Sequence, residues 1–351
     1  MKKIIGILSL LLILVGCSKD KEKYTSTFYD TFDTKVLYVE YAESEDDFNK
    51  NAEFVKSEFE RLHKLYDNYR TYDDVNNVKT INLNAGKEPV KVDEDLFKMI
   101  KFSMDNYDKV LGKTNIAMGK VLDIWHDIRE NNKDKENSEI ILPKNEDLIE
   151  ANKYTNIKNV ILDEENMTIY ITDPEMSIDF GAVAKGYAVE LVAKKLEEKG
   201  IENASINAGG NVRTIGNPGG GRKTWGVALQ NPDMQSKDYL DVLYIEGSKS
   251  VVTSGDYQRY FIKDGKVYHH IIDPKTLWPS EQYAAVVVVT KDSGLADLLS
   301  TALYLSTKEE AEKIISNYDD EIGIIWADHN GNKTFTDNMK DLMQSQGATS
   351  R

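Results

Sequence analysis

The chain has 351 residues, 40% of them apolar and 29% charged, with a formal net charge of −15 from 44 Lys+Arg against 59 Asp+Glu. That length buries a large core in one big domain or two medium ones. The apolar content excludes a wholly disordered chain, and the acidic balance argues against non-specific nucleic-acid binding. With one cysteine, Cys17, neither an intramolecular disulfide nor a thiolate zinc site can form.

Residues 1–16 read as a lipoprotein signal peptide. Lys2 and Lys3 precede the apolar run Ile4 to Val15, which has the length of a secretory core and is too short to span a bilayer comfortably. Leu14-Val15-Gly16-Cys17 resembles the lipobox of bacterial lipoproteins. That resemblance implies cleavage before Cys17, lipidation of its thiol, and anchorage to the outer face of the bacterial cytoplasmic membrane. Residues 17–27 read as a polar tether, 28–340 as a single domain and 341–351 as a polar tail.

Within the domain, Phe32 to Tyr41 predicts a strand. Asp46 to Tyr66 predicts an amphipathic helix, with Phe48, Ala52, Val55, Phe59, Leu62 and Tyr66 three or four apart. Tyr69 to Ala85 is Asn- and Asp-rich and reads as a functional loop. Helices are predicted at Asp95 to Tyr107 and Gly119 to Arg129, and a surface insertion at Glu130 to Ser138. Val160 to Asp163 and Thr168 to Ile171 read as a hairpin. Further strands are predicted near Ser205 to Asn207, Trp225 to Gln230, Val242 to Glu246, Arg259 to Lys263, Val267 to Ile271, Ala284 to Thr290 and Ile322 to Ala327. Blocks of strands at hairpin spacing favour an antiparallel α+β domain over a doubly wound parallel sheet.

Four clusters carry chemistry. Ser177 to Ala188 runs from a short strand through Gly181 into a helix whose first turn holds Lys185. A cation there suits an anionic ligand such as phosphate, although an ordinary strand-to-helix turn has the same local pattern. Asn207-Ala208-Gly209-Gly210-Asn211 allows close backbone approach to a ligand and is also a good hairpin turn. Thr253-Ser254-Gly255-Asp256-Tyr257 is followed by His269-His270-Ile271-Ile272-Asp273-Pro274. The two histidines point to opposite faces of a strand, so at most one enters a given site. One His beside an Asp suits general-base work, although a surface His pair on an edge strand has the same local pattern. In Ser293 to Leu303, Asp297 and Thr301 stand at i and i+4 on one helix face. Their oxygens are hard ligands suited to Mg²⁺ rather than zinc, if they are not simply an exposed helix pair.

Taken in order, Asp179-Phe180-Gly181-Ala182-Val183-Ala184-Lys185-Gly186-Tyr187-Ala188, Asn207 to Asn211, Thr253 to Tyr257, His270 to Thr276 and Ala296-Asp297 to Thr301 resemble the FAD:protein FMN transferase (ApbE) family over roughly Phe28 to Asn338. The resemblance implies a T-fold-like α+β core. It also implies transfer of the FMN half of FAD to a Thr or Ser hydroxyl of a target protein, with release of AMP and a requirement for Mg²⁺. Carried over by motif, Asp297, Thr301 and the Ala182 carbonyl are the expected Mg²⁺ ligands, and His270 is the expected base. Asp179, Lys185, Thr253, Ser254 and Gly255 are expected at FAD, with Gly209, Gly210 and Ile271 beside them. Asn115, Ile116 and Ala117 are expected in a further flavin-contacting loop, and Phe32 to Thr34 at the isoalloxazine or adenine end. Several relatives have Asp-x-Thr-x-Gly where this chain has Asn115-Ile116-Ala117-Met118-Gly119. The expected partner is an acceptor protein with an Asp-x-x-Ser/Thr-Gly-Ala-Thr-like site, a membrane or exported redox protein, and no nucleic acid. Hydrolysis of FAD to FMN and AMP, and non-catalytic flavin binding, would draw on much of the same sequence and stay open.

Overall fold

The segment Ala285–Thr290 is buried along its whole length. In the computed structural model, which describes residues 21–132 and 135–350, its alternate side chains enter two different cores. Val286 and Val288 join a core on one face of a sheet, and Ala285, Val287 and Val289 join another on the opposite face. A strand covered on both faces has no solvated side to mark with polar residues, hence the unbroken valine run.

In chain order, β1 (Glu22–Thr31) and β2 (Thr34–Ala42) form a hairpin leading into α1 (Glu45–Tyr66). α2 (Val78–Leu83), β3 (Val90–Lys91), α3 (Glu94–Tyr107), α4 (Gly119–Asn132) and α5 (Asn145–Asn152) follow, then β4 (Val160–Asp163), β5 (Thr168–Ile171) and α6 (Ala184–Glu198). Strands dominate next: β6 (Ala204–Ala208), β7 (Asn211–Ile215), β8 (Trp225–Leu229), β9 (Asp241–Ile245), β10 (Ser250–Gly255), β11 (Tyr260–Lys263), β12 (Lys266–His269) and β13 (Ala285–Thr290). α7 (Ser293–Tyr304), α8 (Lys308–Ile315), β14 (Gly323–Ala327) and β15 (Lys333–Phe335) close the chain.

The main sheet has eight strands in the order β1-β2-β6-β7-β10-β13-β14-β15, and every neighbouring pair is antiparallel. This is the α+β architecture expected. Helices α1, α6 and α7 cover one face with Val55, Phe59, Leu62, Val189, Val192, Leu298 and Leu299. The β8–β9 hairpin and the C-terminal segment cover the other with Val227, Leu243, Ile245, Met339 and Met343. A third cluster joins α4 to the β11–β12 hairpin through Trp125, Phe261 and Tyr268. α1 begins where Ser44 accepts the Asp47 N–H, with three acidic residues in its first turn.

Several expectations need correction. The polar tether read at 17–27 gives way from Glu22 onward to β1, the outer strand of the main sheet; Cys17 lies outside the described residues. β1 reads as polar because one side of an edge strand stays in water. The loop read at Tyr69 to Ala85 contains α2, started by the Asn77 side chain accepting the Thr80 N–H. The tail from 341 is docked rather than frayed: Met343 bridges to Leu243 and is fully buried, and Asp241 accepts from the Ser345 hydroxyl at 2.5 Å. β3, α5, β7, β10, α8 and β15 are absent from the sequence reading.

Candidate active site

α7 starts where the Asp292 side chain accepts the Leu295 N–H, at 3.0 Å, and presents Asp297 and Thr301 to a cleft. The Asp297 carboxylate is 5% exposed, and its Oδ2 accepts the Gly186 backbone N–H of α6 at 2.8 Å. Gly186 is required there: a Cβ would lie 2.3 Å from the Ser293 carbonyl oxygen and 2.4 Å from the Asp297 Cβ. One N–H of the first turn of α6, expected to be free for an anion, is thus engaged by a carboxylate of the same chain. Burial pushes the Asp297 carboxyl up, while Lys185 and the Gly186 N–H pull the other way. Burial likewise pushes the Lys185 ammonium down, against the pull of Asp297.

Thr301 Oγ1 lies 3.2 Å from Ser254 Oγ, which lies 2.8 Å from Ser300 Oγ. α7 is thereby tied to the end of β10, where Thr253, Ser254 and Gly255 also line the cleft with Ala182. Asp297 and Thr301 bring a carboxylate and a hydroxyl from one helix face to the cleft that Ala182 also lines, and an Ala182 carbonyl would complete an all-oxygen set. That set fits Mg²⁺, which takes one or two protein carboxylates and completes its shell with water and substrate phosphate. The fully buried Asn211 amide favours the ionised form of Asp297, yet its Oδ1 and Nδ2 make no hydrogen bond of ordinary geometry among the described residues.

The histidines diverge, although β12 ends at His269 and His270 stands in the bend after it rather than in the strand expected to reach Ile271. His269 turns inward, with Nε2 2.6 Å from the Ser280 carbonyl oxygen and its ring edge-on to Tyr304. His270 lines the cleft, and its buried Nδ1 has no partner among the described residues. Burial holds the His270 imidazole well below the usual histidine range, reinforced by Arg259, His269, Lys185 and Arg129. Its surroundings are therefore cationic. The Asp273 carboxylate expected beside it instead accepts the Lys275 N–H at 2.8 Å and closes a turn.

Asp179 and Asn115 also line the cleft with Ile116 and Ile271. The Asp179 carboxylate accepts from Asn68 Nδ2 at 2.6 Å and from the Gly181 N–H at 2.8 Å, and burial pushes it up. Asn115 accepts the Ala117 N–H and donates to the Thr155 carbonyl, holding a single 3₁₀ turn, Ile116–Met118. Three residue groups expected at the ligand stand elsewhere. Ala117, the middle residue of that turn, is fully buried. Phe32 occupies the β1–β2 turn at φ +53°, with its N–H donated to His63 Nδ1 and its ring against Phe59 and His63. Gly209 and Gly210 line a second, adjoining groove, where the left-handed φ of +56° and contact with Thr34 exclude a side chain at Gly209.

The cleft has a further wall that the motifs did not mark. Tyr69 packs on His126 with ring centroids 4.7 Å apart and planes tilted by 31°, and Arg129 Nη2 lies 2.9 Å from His126 Nδ1. Trp125 and Arg259 complete it. The helical spacing of His126 and Arg129, three apart in α4, was the available signal.

The ApbE family pattern matches residues 30–326. An FAD:protein FMN transferase of Klebsiella pneumoniae is 32% identical over 234 residues, 65% of this chain and 67% of that protein. One from Haemophilus influenzae is 27% identical over 339 residues, 94% of this chain and 95% of that protein. The crystal structure of the ApbE protein from Thermotoga maritima superposes with a TM-score of 0.76 at 28% identity, over 91% of this chain and 98% of that one. With the match spanning nearly all of the described domain, the chain belongs to the ApbE family.

Proposed function

We propose that the protein transfers the FMN half of FAD to a Ser or Thr hydroxyl of an acceptor protein, releases AMP, and depends on Mg²⁺. The observation that carries this reading is the meeting, in one cleft, of Lys185, Thr253 to Gly255, His270 and the Asp297–Thr301 pair from four separated segments.

Each residue has a physical part in that chemistry. His270 is held neutral by burial and its cationic neighbours, so its imidazole is free to take the proton of the acceptor hydroxyl. The acceptor oxygen forms a bond to the phosphorus on the FMN side of the diphosphate. The bond from that phosphorus to the bridging oxygen breaks, and the oxygen leaves with AMP. Lys185, partly buried and facing Asp297, holds diphosphate charge in a site poor in water, where an ion contact is strong. Mg²⁺ held by Asp297, Thr301 and the Ala182 carbonyl would neutralise diphosphate charge and polarise the attacked phosphorus. Arg129 and Arg259 line the same cleft and give a chain of net charge −15 a local positive focus for an anionic substrate.

The acceptor in this reading is an exported or membrane-bound redox protein with an Asp-x-x-Ser/Thr-Gly-Ala-Thr-like site. The enzyme is itself exported and held by lipid on Cys17 at the outer face of the cytoplasmic membrane, which multiple acyl chains suffice to do. Among the described residues no helix is long and apolar enough to cross a membrane.

The test mixes the mature chain with FAD, Mg²⁺ and a small acceptor domain carrying an Asp-x-x-Thr-Gly-Ala-Thr site. Covalent flavin fluorescence on a denaturing gel, with stoichiometric AMP, is the expected result. AMP without labelled acceptor would point to hydrolysis, and bound flavin without AMP to a flavin carrier.

A further inference from the structure

Beside the cleft lies a second groove, and Thr253 and Gln258 line both. Its character differs from that of the cleft. Leu37, Val212, Val227 and Leu229 give it an apolar floor, and among the described residues Lys35 is the only charged side chain lining it. Lys35 is exposed, and its ammonium pairs with no described residue. One side is β8, which pairs with β9 alone among the described strands, so its other edge carries no partner. Gly226 and Ala228 make the exposed face of β8 nearly free of side chains. The Gly209–Gly210 turn is similarly bare: a Cβ at Gly210 would meet only Gln258 Nε2, at 3.8 Å.

We infer that this groove receives an extended segment of the acceptor protein, the one that bears the accepting hydroxyl. The inference rests on the transferase reading above and names where its second substrate sits. A free strand edge offers main-chain hydrogen bonds to an added strand whatever its sequence. Small residues on the exposed face of β8 leave room for that strand's side chains on the same face, and the apolar floor takes the alternate ones. The lone ammonium of Lys35 selects a segment with a carboxylate close to the hydroxyl. Continuity through Thr253 and Gln258 leads the hydroxyl into the cleft that His270 lines. FAD, an anion, is matched instead by the cleft, with its Lys185, Arg129 and Arg259.

The experiment compares wild type, Lys35→Glu, Lys35→Arg and Ala228→Trp, all as the mature chain with Mg²⁺ and the same acceptor domain. Transfer rate is followed against acceptor concentration, FAD affinity by flavin fluorescence, and folding by thermal unfolding. Lys35→Glu and Ala228→Trp are expected to raise the acceptor KM about tenfold, with FAD affinity changed by less than about twofold, and Lys35→Arg to behave as wild type. An unchanged acceptor KM in both folded variants would overturn the inference. So would a parallel loss of FAD affinity, which would give the groove to FAD. If wild type labels no acceptor, the transferase reading fails and this inference falls with it; labelling by wild type separates the two failures.

Discussion

At the scale of single residues, burial sets the chemistry of His270 and Asp297, and it acts on them in opposite senses. It pulls the His270 imidazole below its usual range and lifts the Asp297 carboxyl above its own. Removing His270 as Ala should slow transfer by ~10²–10⁴-fold, the usual worth of a general base, and leave FAD binding intact. A full rate at neutral pH in that variant would show that another group takes the proton. The same burial has a stability consequence. Because the native pKa lies below the unfolded value of 6.5, the unfolded chain binds a proton that the native one refuses between the two values. The stabilising difference is therefore present above that pH and is lost as pH falls below it. Thermal midpoints of wild type should fall more steeply from neutral pH downward than those of His270→Asn; equal slopes would dismiss this account. Asp297→Asn keeps the shape and loses the charge, so transfer should drop by about 10²-fold or more, with Mg²⁺ dependence weakened. Its melting temperature should hold, since a buried charge is exchanged for a neutral isostere.

The site's precision belongs to the elements. Glu190 of α6 accepts from Arg213 Nε of β7 at 3.0 Å and from the Ser293 N–H of α7 at 2.7 Å. This one carboxylate joins the helix carrying Lys185, the helix carrying Asp297 and a central strand. Glu190→Ala leaves Arg213, itself 5% exposed, without its main partner and should cost about 3–5 kcal/mol. Denaturant unfolding measures that cost, and a loss under about 1 kcal/mol would mean that Glu197, 3.3 Å from Arg213 Nη2, takes over. The elements also explain which parts of the fold were legible. α1 declares itself through Phe48, Val55, Phe59 and Leu62, all buried on one face. β13 does so through its valines. β1 does not, since its polar side is solvated, and β7 hides because Arg213 occupies a buried position only by virtue of Glu190. α5 and α8, eight residues each, are too short for a helical period to stand out.

For the whole molecule, the proposed lipid anchor and the acidic surface act together. A chain of net charge −15 is repelled by anionic lipid, so in the proposed arrangement attachment would come from acyl chains on Cys17. Cys17→Ser in the full-length chain should move the protein from the membrane fraction to the soluble one. Membrane retention without that thiol would refute the anchor. The ordered motifs were enough to determine the family, the reaction class and the hard-oxygen pair Asp297–Thr301, because residues one helical turn apart share a face whatever surrounds them. The sequence likewise determined that only one of His269 and His270 could reach the site. Only the tertiary structure decided that His270 is set among cations rather than beside Asp273. It also decided that the α6 N-terminus is partly engaged by Asp297 and that Gly209 and Gly210 line the neighbouring groove. The aromatic and cationic wall of Tyr69, His126, Arg129 and Arg259 emerged only there as well. The physical reason is common to all four: the field, burial and company of a side chain are set by elements that meet across the fold, and no local spacing encodes those meetings.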